Sequence, residues 1–401
     1  GRRRFLRMEA KPNICVLKNV SFTDEEMQDM PALVGKDLFT DELRETLGQF
    51  EQAKNFGSLI VPKLRDPAEV LRVVEARDFA GDLLLKDVQA RVVAVLRMAE
   101  ALSPKYHVVV ANPPYMGGTG MNKALESWAK RNFKDSRADL YAMFMERSLE
   151  LCVRHGFTAM INMQSWMFLS TFDNLRSKLL TQNAIVSMAH LGERGFDTIG
   201  GAVVSTTAFV IGKAYSPKTE GVFLRLVSGR NEAEKSGVAR AIVSGNNLEM
   251  KFFSSAVDFQ KLPGNPIAYW ASEAFLRLFD EGKPITDFVS SRDGLTTGNN
   301  EAFIRYFWEP AFESVGFGYS DATDFWKSGR KFAPLIKGGS FRKWFGNLSN
   351  VITYDKQHFD VLAVSGNKLP SREKYFQRNL NWTRISSPSG SFRYTQSGCI
   401  F

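Results

Sequence analysis

Apolar residues recur at helical spacing in the first quarter of the chain. Leu43, Leu47 and Phe50 lie three or four residues apart. A second, longer stripe consists of Leu85, Val88, Val92, Leu96 and Ala99. Side chains at this spacing share one face of a helix, and an apolar face of this kind packs into a core. The pattern predicts a helical segment over about residues 21–104 that serves packing.

Continuous apolar runs, rich in β-branched residues, predict the strands of a sheet. The predicted strands are Pro12–Val20, Tyr106–Ala111, Phe157–Met163, Ala184–Leu191 and Val203–Gly212. The helices predicted among the later strands are 122–133, 138–154 and 171–180. Strand alternating with helix indicates an α/β domain with a parallel, doubly wound sheet. The last two strands have no helix between them, so we expect an antiparallel pair at one sheet edge.

A change in sequence character near residue 260 predicts the domain boundary. The turn Pro263–Pro266 is followed by sequence rich in turns, aromatic residues and basic residues. A chain of 401 residues is also too long for one ordinary core. We therefore expect an α/β domain over 1–260 and a second, α+β domain over 261–401.

Composition excludes several classes of protein. Apolar residues make up 44% and charged residues 24% of the chain, which is typical of globular proteins. No apolar run is long enough to span a bilayer and no signal peptide follows the basic first residues, so we expect a soluble, cytoplasmic protein without a membrane partner. The three cysteines lie far apart, and the four histidines, His190 among them, show no ligand spacing. We therefore predict neither disulfides nor a metal site.

The net charge of +9 resides in the C-terminal part of the chain. Residues 327–401 contain 13 Lys and Arg against 3 Asp and Glu, whereas the first 326 residues contain 39 against 40. Neutralising phosphates releases counterions, so a one-sided surplus predicts a surface that faces a polyanion. A solvated basic face is the alternative interpretation.

The tetrapeptide Asn112-Pro113-Pro114-Tyr115 directly follows the predicted buried strand Tyr106–Ala111. Ligands of open α/β sheets bind beyond the carboxyl ends of strands, so a binding site is expected here. Two consecutive prolines fix φ and keep Asn112 extended, which preorganises its side-chain oxygen and the Pro113 carbonyl as hydrogen-bond acceptors. A rigid turn without a ligand is the alternative.

These acceptors suit the chemistry of an amine conjugated to a purine ring. The lone pair of such an amine is delocalised into the ring, so the amine is a poor nucleophile. Acceptors that bind both amine hydrogens favour a pyramidal nitrogen and stabilise the transition state over the ground state. We predict catalytic roles for Asn112, Pro113 and Pro114, with Tyr115 stacking on the base. A base in a duplex must be flipped out to reach such a site, and Phe196, between the last two strands, is the candidate for the opposite stacking platform.

The segment Asn112–Gly117, the strands and helices after it and the Phe196 hairpin resemble the gamma-type amino-methyltransferases. Among these the chain resembles the PglX family, adenine-specific DNA methyltransferases of BREX phage defence. The likeness is carried by PNICVLKNV at 12–20, NFGSLI at 55–60, YHVVVANPPYMG at 106–117 and KGGSFRKWFGN at 337–347.

The resemblance implies a class I methyltransferase fold that transfers a methyl group from S-adenosylmethionine to N6 of a flipped-out adenine in double-stranded DNA, marking host DNA. It also implies that Asn112, Pro113 and Tyr115 hold the adenine, that Phe196 stacks on its other face, and that the part from about residue 265 recognises the DNA sequence. Other BREX defence proteins are implied as partners.

Part of the cofactor site is expected outside this chain. In the family the glycine-rich loop and the acidic residue that holds the ribose lie upstream of residue 1, with the first strands of the sheet, so this portion need not be active by itself. The turn Gly117–Gly120 is no substitute, because it follows the catalytic strand and lacks the lysine of a P-loop. No cofactor-binding residue of this chain is predicted.

Basic and aromatic residues alternate closely after Phe325. Arg and Lys bind phosphates or guanine edges, while aromatic residues pack the scaffold or stack on bases. We predict that Arg342, Lys343, Arg384 and Arg393 face DNA.

Other functions remain open on the sequence. The same acceptors suit any planar amine, including a protein glutamine or a ribosomal RNA base. A non-catalytic DNA-binding scaffold in phage defence is an alternative of a different class. A restriction nuclease is disfavoured, because the sequence has no convincing Asp…Glu-x-Lys cluster to hold magnesium.

Overall fold

The computed structural model describes residues 12–79, 81–197, 204–383 and 390–401. The chain folds as two compact units that divide between Gly282 and Lys283. No helix in these described ranges is both long enough and apolar enough to cross a membrane.

The division falls later than residue 260 because the segment after the predicted boundary packs into the first unit. The buried guanidinium of Arg176 donates two hydrogen bonds to the Gly264 carbonyl, at 2.9 and 2.8 Å. The Ile267 N–H bonds the Met167 carbonyl at 2.9 Å, and Tyr269 is buried in the same core. The turn-rich sequence after residue 260 therefore begins a segment that packs into the first unit.

Five α-helices lie between residues 12 and 104 in the part of the chain that the structure describes. They are α1 (Asp24–Val34), α2 (Asp41–Gln49), α3 (Ala53–Phe56), α4 (Pro67–Glu75) and α5 (Leu83–Leu102). The two predicted apolar stripes are confirmed, since Leu43 and Leu47 of α2 and Val92 and Leu96 of α5 lie in one buried core. Side-chain caps begin the other four helices but not α3, as where Thr40 accepts the N–H of Leu43 at the start of α2.

The first unit continues with a six-stranded sheet. Its strands are β1 (Tyr106–Ala111), β2 (Cys152–Met163), β3 (Asn183–Gly192), β4 (Thr206–Lys213), β5 (Gly221–Arg225) and β6 (Lys251–Ser254). The helices among and after them are α6 (Lys123–Asn132), α7 (Leu140–Leu151), α8 (Asp173–Gln182), α9 (Glu232–Val243), α10 (Ala256–Gln260) and α11 (Glu273–Glu281). The predicted α/β class is confirmed.

The sheet is mixed, with strand order β1-β2-β4-β3-β5-β6. β1 runs parallel to β2, and β3 runs parallel to β5. β4 is antiparallel to both of its neighbours, β2 and β3. The predicted antiparallel pair of β3 and β4 is therefore confirmed, but its place at a sheet edge is wrong. The lack of a crossover helix between β3 and β4 indicates only that these two strands run antiparallel. It does not indicate that β2 pairs with the other side of β4.

The two faces of the sheet differ. One face packs a row of large side chains, Met160, Met188, Phe209 and Phe223, in one core with residues of α7, α8 and α10. The opposite face lines an open apolar trough of about 740 Å³. Strand β1 lies at the end of the sheet, and Val110, which borders this trough, is 74% exposed. The strand at 106–111 is thus confirmed, but the prediction that it is buried is wrong.

The predicted strand Pro12–Val20 is also wrong. These residues have no regular structure, and Ile14 and Val16 are exposed. The N–H of Val20 bonds the Phe50 carbonyl at 3.0 Å. An apolar run indicates a tendency to be buried, but a strand also needs a neighbour, and none of the described strands pairs with this segment.

The second unit is an α+β fold with small sheets, as predicted. Its helices are α12 (Asn300–Phe303), α13 (Ala322–Lys327) and α14 (Lys356–Leu362). Its strands are β7 (Ile304–Tyr306), β8 (Phe332–Leu335), β9 (Asn350–Thr353), β10 (Asn379–Asn381) and β11 (Arg393–Thr395). Three strands pair in the order β7-β9-β8, and β10 pairs with β11. Phe325, Tyr354 and Phe376 form the aromatic centre of the core.

A buried arginine joins α7 to the helical part of the first unit. Arg147 is 2% exposed. Its guanidinium donates to the carbonyls of Ser58, Ile60 and Leu102 at 3.0, 2.9 and 2.9 Å. Burial lowers the pKa of Arg147, and the nearby Glu150 carboxylate opposes that shift. Hydrogen bonds from Arg147 to three backbone carbonyls therefore maintain the contact between α7 and the helical part. Without Arg147 these carbonyls would lose their donor.

We expect Arg147→Met to lower the free energy of unfolding by about 3 kcal/mol, because three carbonyls lose their donor. The measurement is urea denaturation of the protein that carries this chain. Arg97→Met is the matched control, since Arg97 is 67% exposed in its ion pair with Glu75 and is expected to contribute less than about 1 kcal/mol. Equal effects of the two substitutions would contradict the structural role of Arg147.

Candidate active site

The Asn112–Tyr115 motif leaves the sheet at the carboxyl end of β1. Asn112 is exposed, Pro113 is buried and Tyr115 is half-buried. Within the described residues, neither the Asn112 side chain nor the Pro113 carbonyl has a hydrogen-bond partner. Pro114, exposed beside them, cannot donate a backbone N–H. The motif thus presents two available acceptors on a rigid backbone at the edge where ligands of α/β sheets bind.

Tyr115 is held at the same edge by its neighbours. Its hydroxyl donates to the Ile161 carbonyl on β2 at 3.4 Å. Its ring meets that of Tyr141 edge-on, with the ring centroids 6.3 Å apart. The Tyr141 hydroxyl in turn lies 2.7 Å from the Ser165 hydroxyl. Burial raises the pKa of Tyr115, so the ring stays neutral and available for stacking.

Asp139 fixes the backbone that follows the motif. It is the N-cap of α7, and its Oδ1 accepts the N–H groups of Met116 and Tyr141 at 3.0 and 3.3 Å. The Leu140 N–H also bonds the Met116 carbonyl at 3.0 Å. Desolvation raises the pKa of the Asp139 carboxyl, and the backbone N–H groups oppose that shift. One side chain thus begins a helix and holds the loop that carries Tyr115.

His190, expected to be a structural residue, lies at the carboxyl edge as well. Its Nε2 is 2.6 Å from Oε1 of Gln164, which directly follows β2, and its Nδ1 is 2.9 Å from the Tyr269 hydroxyl. The sequence carried one signal that points to Gln164: it comes directly after a predicted strand, as Asn112 does. His190 and Tyr269 carried none, because they are 79 residues apart and meet only in the folded chain.

Phe196 follows β3 and is half-buried. Its ring contacts none of the described aromatic rings at stacking distance. In the same turn, the Asp197 N–H bonds the Glu232 carboxylate at 2.9 Å. Residues 198–203 lie outside the described residues, so the stacking role of Phe196 stays a prediction.

Two of the four residues predicted to face DNA are available for contact. Arg342 and Lys343 are both exposed, and the Lys343 ammonium lies 5.0 Å from the centre of the Trp344 ring. Trp344 and Phe345 beside them are exposed too. Arg384 lies outside the described residues.

Arg393 does not fit the prediction that it faces DNA. It is 2% exposed on strand β11. Its guanidinium donates to the Asn381 and Ser391 side chains at 3.0 and 2.6 Å. Arg393 therefore supports the β10–β11 pair from inside, which its sequence setting among aromatic and basic residues did not reveal.

The described residues form no metal cluster, and the trough beside Asn112 lacks the acidic lining of a ribose site. No group of three His, Cys, Asp or Glu side chains in these ranges is placed to hold a metal ion. The sheet trough beside Asn112 is lined by apolar and small side chains with Lys251 as its charged residue. A nucleoside ribose needs an acidic acceptor, and no carboxylate lines this trough.

Residues 36–196 match the family model of the Eco57I restriction-modification methylase. The chain is 39% identical over 370 residues, 90% of its length, to the adenine-specific methyltransferase BrxX of Escherichia coli O9:H4 (strain HS). It is 34% identical over its whole length to the adenine-specific methyltransferase PglX of Lacticaseibacillus casei (strain Zhang). The resemblance predicted from the sequence is confirmed.

The matched relatives are much longer than this chain, which spans 29% of BrxX and 34% of PglX. Among solved structures, a DrdV–DNA complex aligns with 78% of this chain and 36% of its own, at 11% identity and a TM-score of 0.40. That likeness is too low to support a statement about function.

We expect Asp139→Ala to lower the free energy of unfolding by about 1–2 kcal/mol through loss of the helix cap and the Met116 bond. Asp139→Asn is the control. A raised pKa means that ionisation of Asp139 disfavours the folded state, so the charge itself adds no stability. Asparagine caps equally well and is expected to stay within about 0.5 kcal/mol of wild type in a denaturation experiment. A larger loss of unfolding free energy for Asp139→Asn than for Asp139→Ala would refute this account.

Proposed function

We propose that this chain, a relative of the adenine-specific methyltransferases BrxX and PglX over nearly its whole length, binds and orients the target base in the N6 methylation of adenine in DNA. The main support for this proposal is the position and availability of two acceptors. Asn112 and Pro113 present two hydrogen-bond acceptors that are not engaged by other described residues, at the carboxyl end of a sheet strand. An exocyclic amine has two hydrogens to match them.

The residues of this chain supply the acceptor side of the reaction. The Asn112 oxygen and the Pro113 carbonyl bind the two N–H groups of the amine and draw its nitrogen toward a pyramidal geometry. The lone pair then leaves conjugation with the ring, and the nitrogen becomes nucleophilic. Because the prolines hold these acceptors rigidly, little reorganisation is needed as positive charge develops on the nitrogen. Tyr115 stacks on the ring, and we propose Phe196 for the opposite face.

We propose S-adenosylmethionine as the methyl donor, on the relationship to the adenine-specific methyltransferases. The described residues do not fit a site for it, since the trough beside Asn112 has no acidic residue. No residue of this chain is therefore assigned to the cofactor, and the reaction is ascribed to the longer protein.

We propose DNA, and not a protein glutamine or ribosomal RNA, as the carrier of the amine. The match to a restriction-modification methylase supports this choice. So does the basic C-terminal part, whose exposed Arg342 and Lys343 lie beside the exposed aromatic Trp344 and Phe345. Host marking in phage defence and contacts with other defence proteins are further proposals, and they rest on the sequence resemblance.

The test of the reaction is Asn112→Ala in the full-length protein. Loss of one preorganised acceptor is expected to slow methylation by about a hundredfold or more. Genomic N6-methyladenine, mapped by single-molecule sequencing in cells that carry wild type or the variant, gives both the activity and the recognition sequence.

Asn112→Asp is the companion variant, since its carboxylate keeps the acceptor oxygens, and we expect it to retain more activity than Ala. Asn112 is exposed and without a partner in the described chain, so both variants are expected to unfold at the wild-type temperature. Absence of methylation with wild type would refute the enzymatic function and favour a non-catalytic DNA-binding role.

We expect Lys343→Ala to weaken DNA binding at every sequence tested and to reduce the slope of log affinity against log salt by about 1. The measurement is fluorescence anisotropy with the full-length protein over a range of salt concentrations. Lys356→Ala is the control, because the Lys356 ammonium is paired with Asp360 at 2.5 Å. An unchanged salt slope in Lys343→Ala would remove this residue from the DNA surface.

A further inference from the structure

A chain of side-chain hydrogen bonds ends beside the Asn112–Tyr115 motif. It runs from Tyr269 through His190 to Gln164, with distances of 2.9 and 2.6 Å. His190 lies near the end of β3, between Thr207 of β4 and Arg225 of β5. The rings of Phe168 and Trp270 pack around His190. The proposed reaction uses none of these groups.

His190 is neutral in this setting. It is buried, and desolvation, followed by the charges of Arg225 and Lys235, lowers its pKa to about 4. A neutral imidazole has one donor and one acceptor nitrogen. The Gln164 Oε1 can only accept, so Nε2 of His190 carries the proton. Nδ1 is then the acceptor for the Tyr269 hydroxyl, and the donors along the chain all run toward Gln164.

This direction fixes the orientation of the Gln164 amide. Its oxygen is occupied by His190, so its nitrogen points elsewhere with two N–H donors. No described residue accepts from this nitrogen, and Gln164 is half-buried. Nor is the nitrogen among the buried side-chain atoms without a partner that are found in the described part of the chain.

Gln164 directly follows β2, the strand that pairs with the motif-bearing strand β1. The next residue, Ser165, bonds the Tyr141 hydroxyl at 2.7 Å, and the Tyr141 ring meets Tyr115 edge-on. The Tyr115 hydroxyl bonds the Ile161 carbonyl, three residues before Gln164. A fixed N–H donor therefore lies on the same sheet edge as the two acceptors of the motif.

Acceptors and a donor together complement adenine. Adenine presents an amine next to N1, which is an acceptor, whereas guanine presents a carbonyl oxygen next to a protonated N1. We propose that Gln164 recognises the target adenine by donating an N–H to its N1, and that His190 and Tyr269 are positioning residues that hold the amide in this orientation. The proposal rests on the proposed function and names a specificity-determining residue for it. In guanine the protonated N1 would face the N–H of Gln164. Two donors would then meet, and both would remain unpaired.

The test is a double-mutant cycle between protein and base. Full-length wild type and Gln164→Met methylate duplexes that contain adenine, 1-deazaadenine or 7-deazaadenine at the target position, and kcat/KM is measured for each. Removing either partner of the hydrogen bond is expected to lower kcat/KM by about ten- to a hundredfold. Removing both is expected to cost no more than removing one, while 7-deazaadenine changes kcat/KM of both proteins by the same factor. Additive losses for Gln164→Met and 1-deazaadenine would overturn the proposal.

Tyr269→Phe tests the positioning role, because it removes the donor to His190 and leaves the aromatic packing. We expect the wild-type preference for adenine over 1-deazaadenine to shrink in Tyr269→Phe, which a purely structural loss of stability would not produce. Should Gln164→Met fail to fold, the wild-type comparison of the two deaza bases still decides, and equal rates on both would refute a bond to N1. Wild type that is inactive on adenine duplexes refutes the proposed function itself, whereas active wild type without the non-additive pattern refutes only the role of Gln164.

Discussion

The backbone pairing of β4 with both β2 and β3 is the constraint on which the site depends. One row of residues runs across these strands, from Asn162 through Thr207 to His190. Because β4 pairs along nearly its whole length with both neighbours, the carboxyl ends of β2 and β3 stop at the same level. A one-residue slip in either ladder would turn every side chain of the slipped strand to the other face of the sheet.

The parallel pairing of β1 with β2 adds the motif to this edge, with Ala111 opposite Met160. Asn112 and Gln164 each follow the last residue of a strand. Neither residue makes a site alone. The sheet brings an acceptor pair and a donor to one edge from positions 52 residues apart, and we propose that this arrangement recognises a purine with an exocyclic amine.

The polar groups around this edge divide into those with partners and those without. Asp139 uses its carboxylate on the backbone of the motif loop, and His190 uses both ring nitrogens on side chains. The acceptors of Asn112 and Pro113 are available, within the part of the chain that the structure describes. Groups with partners resist reorganisation, so the backbone beside the available groups is held in place. Preorganisation of this kind is the main means by which a protein stabilises a polar transition state.

The sequence by itself determined the α/β class, the two apolar helical stripes, the later strands and the position of the motif at a strand end. These features are local, because spacing along the chain decides which side chains share a face. It also supported the family resemblance, which the relatives at 39% and 34% identity confirm.

Only the tertiary structure decided where β4 lies, that β1 is exposed at the end of the sheet, and that Pro12–Val20 forms no strand. It also separated Arg393, whose guanidinium is buried on Asn381 and Ser391, from Arg342, which has the same residue type and similar neighbours but is exposed. The chain from Tyr269 to Gln164 was likewise beyond the sequence. Each of these outcomes depends on which distant segment occupies the other side of a strand or side chain, and spacing along one segment carries no information about that partner.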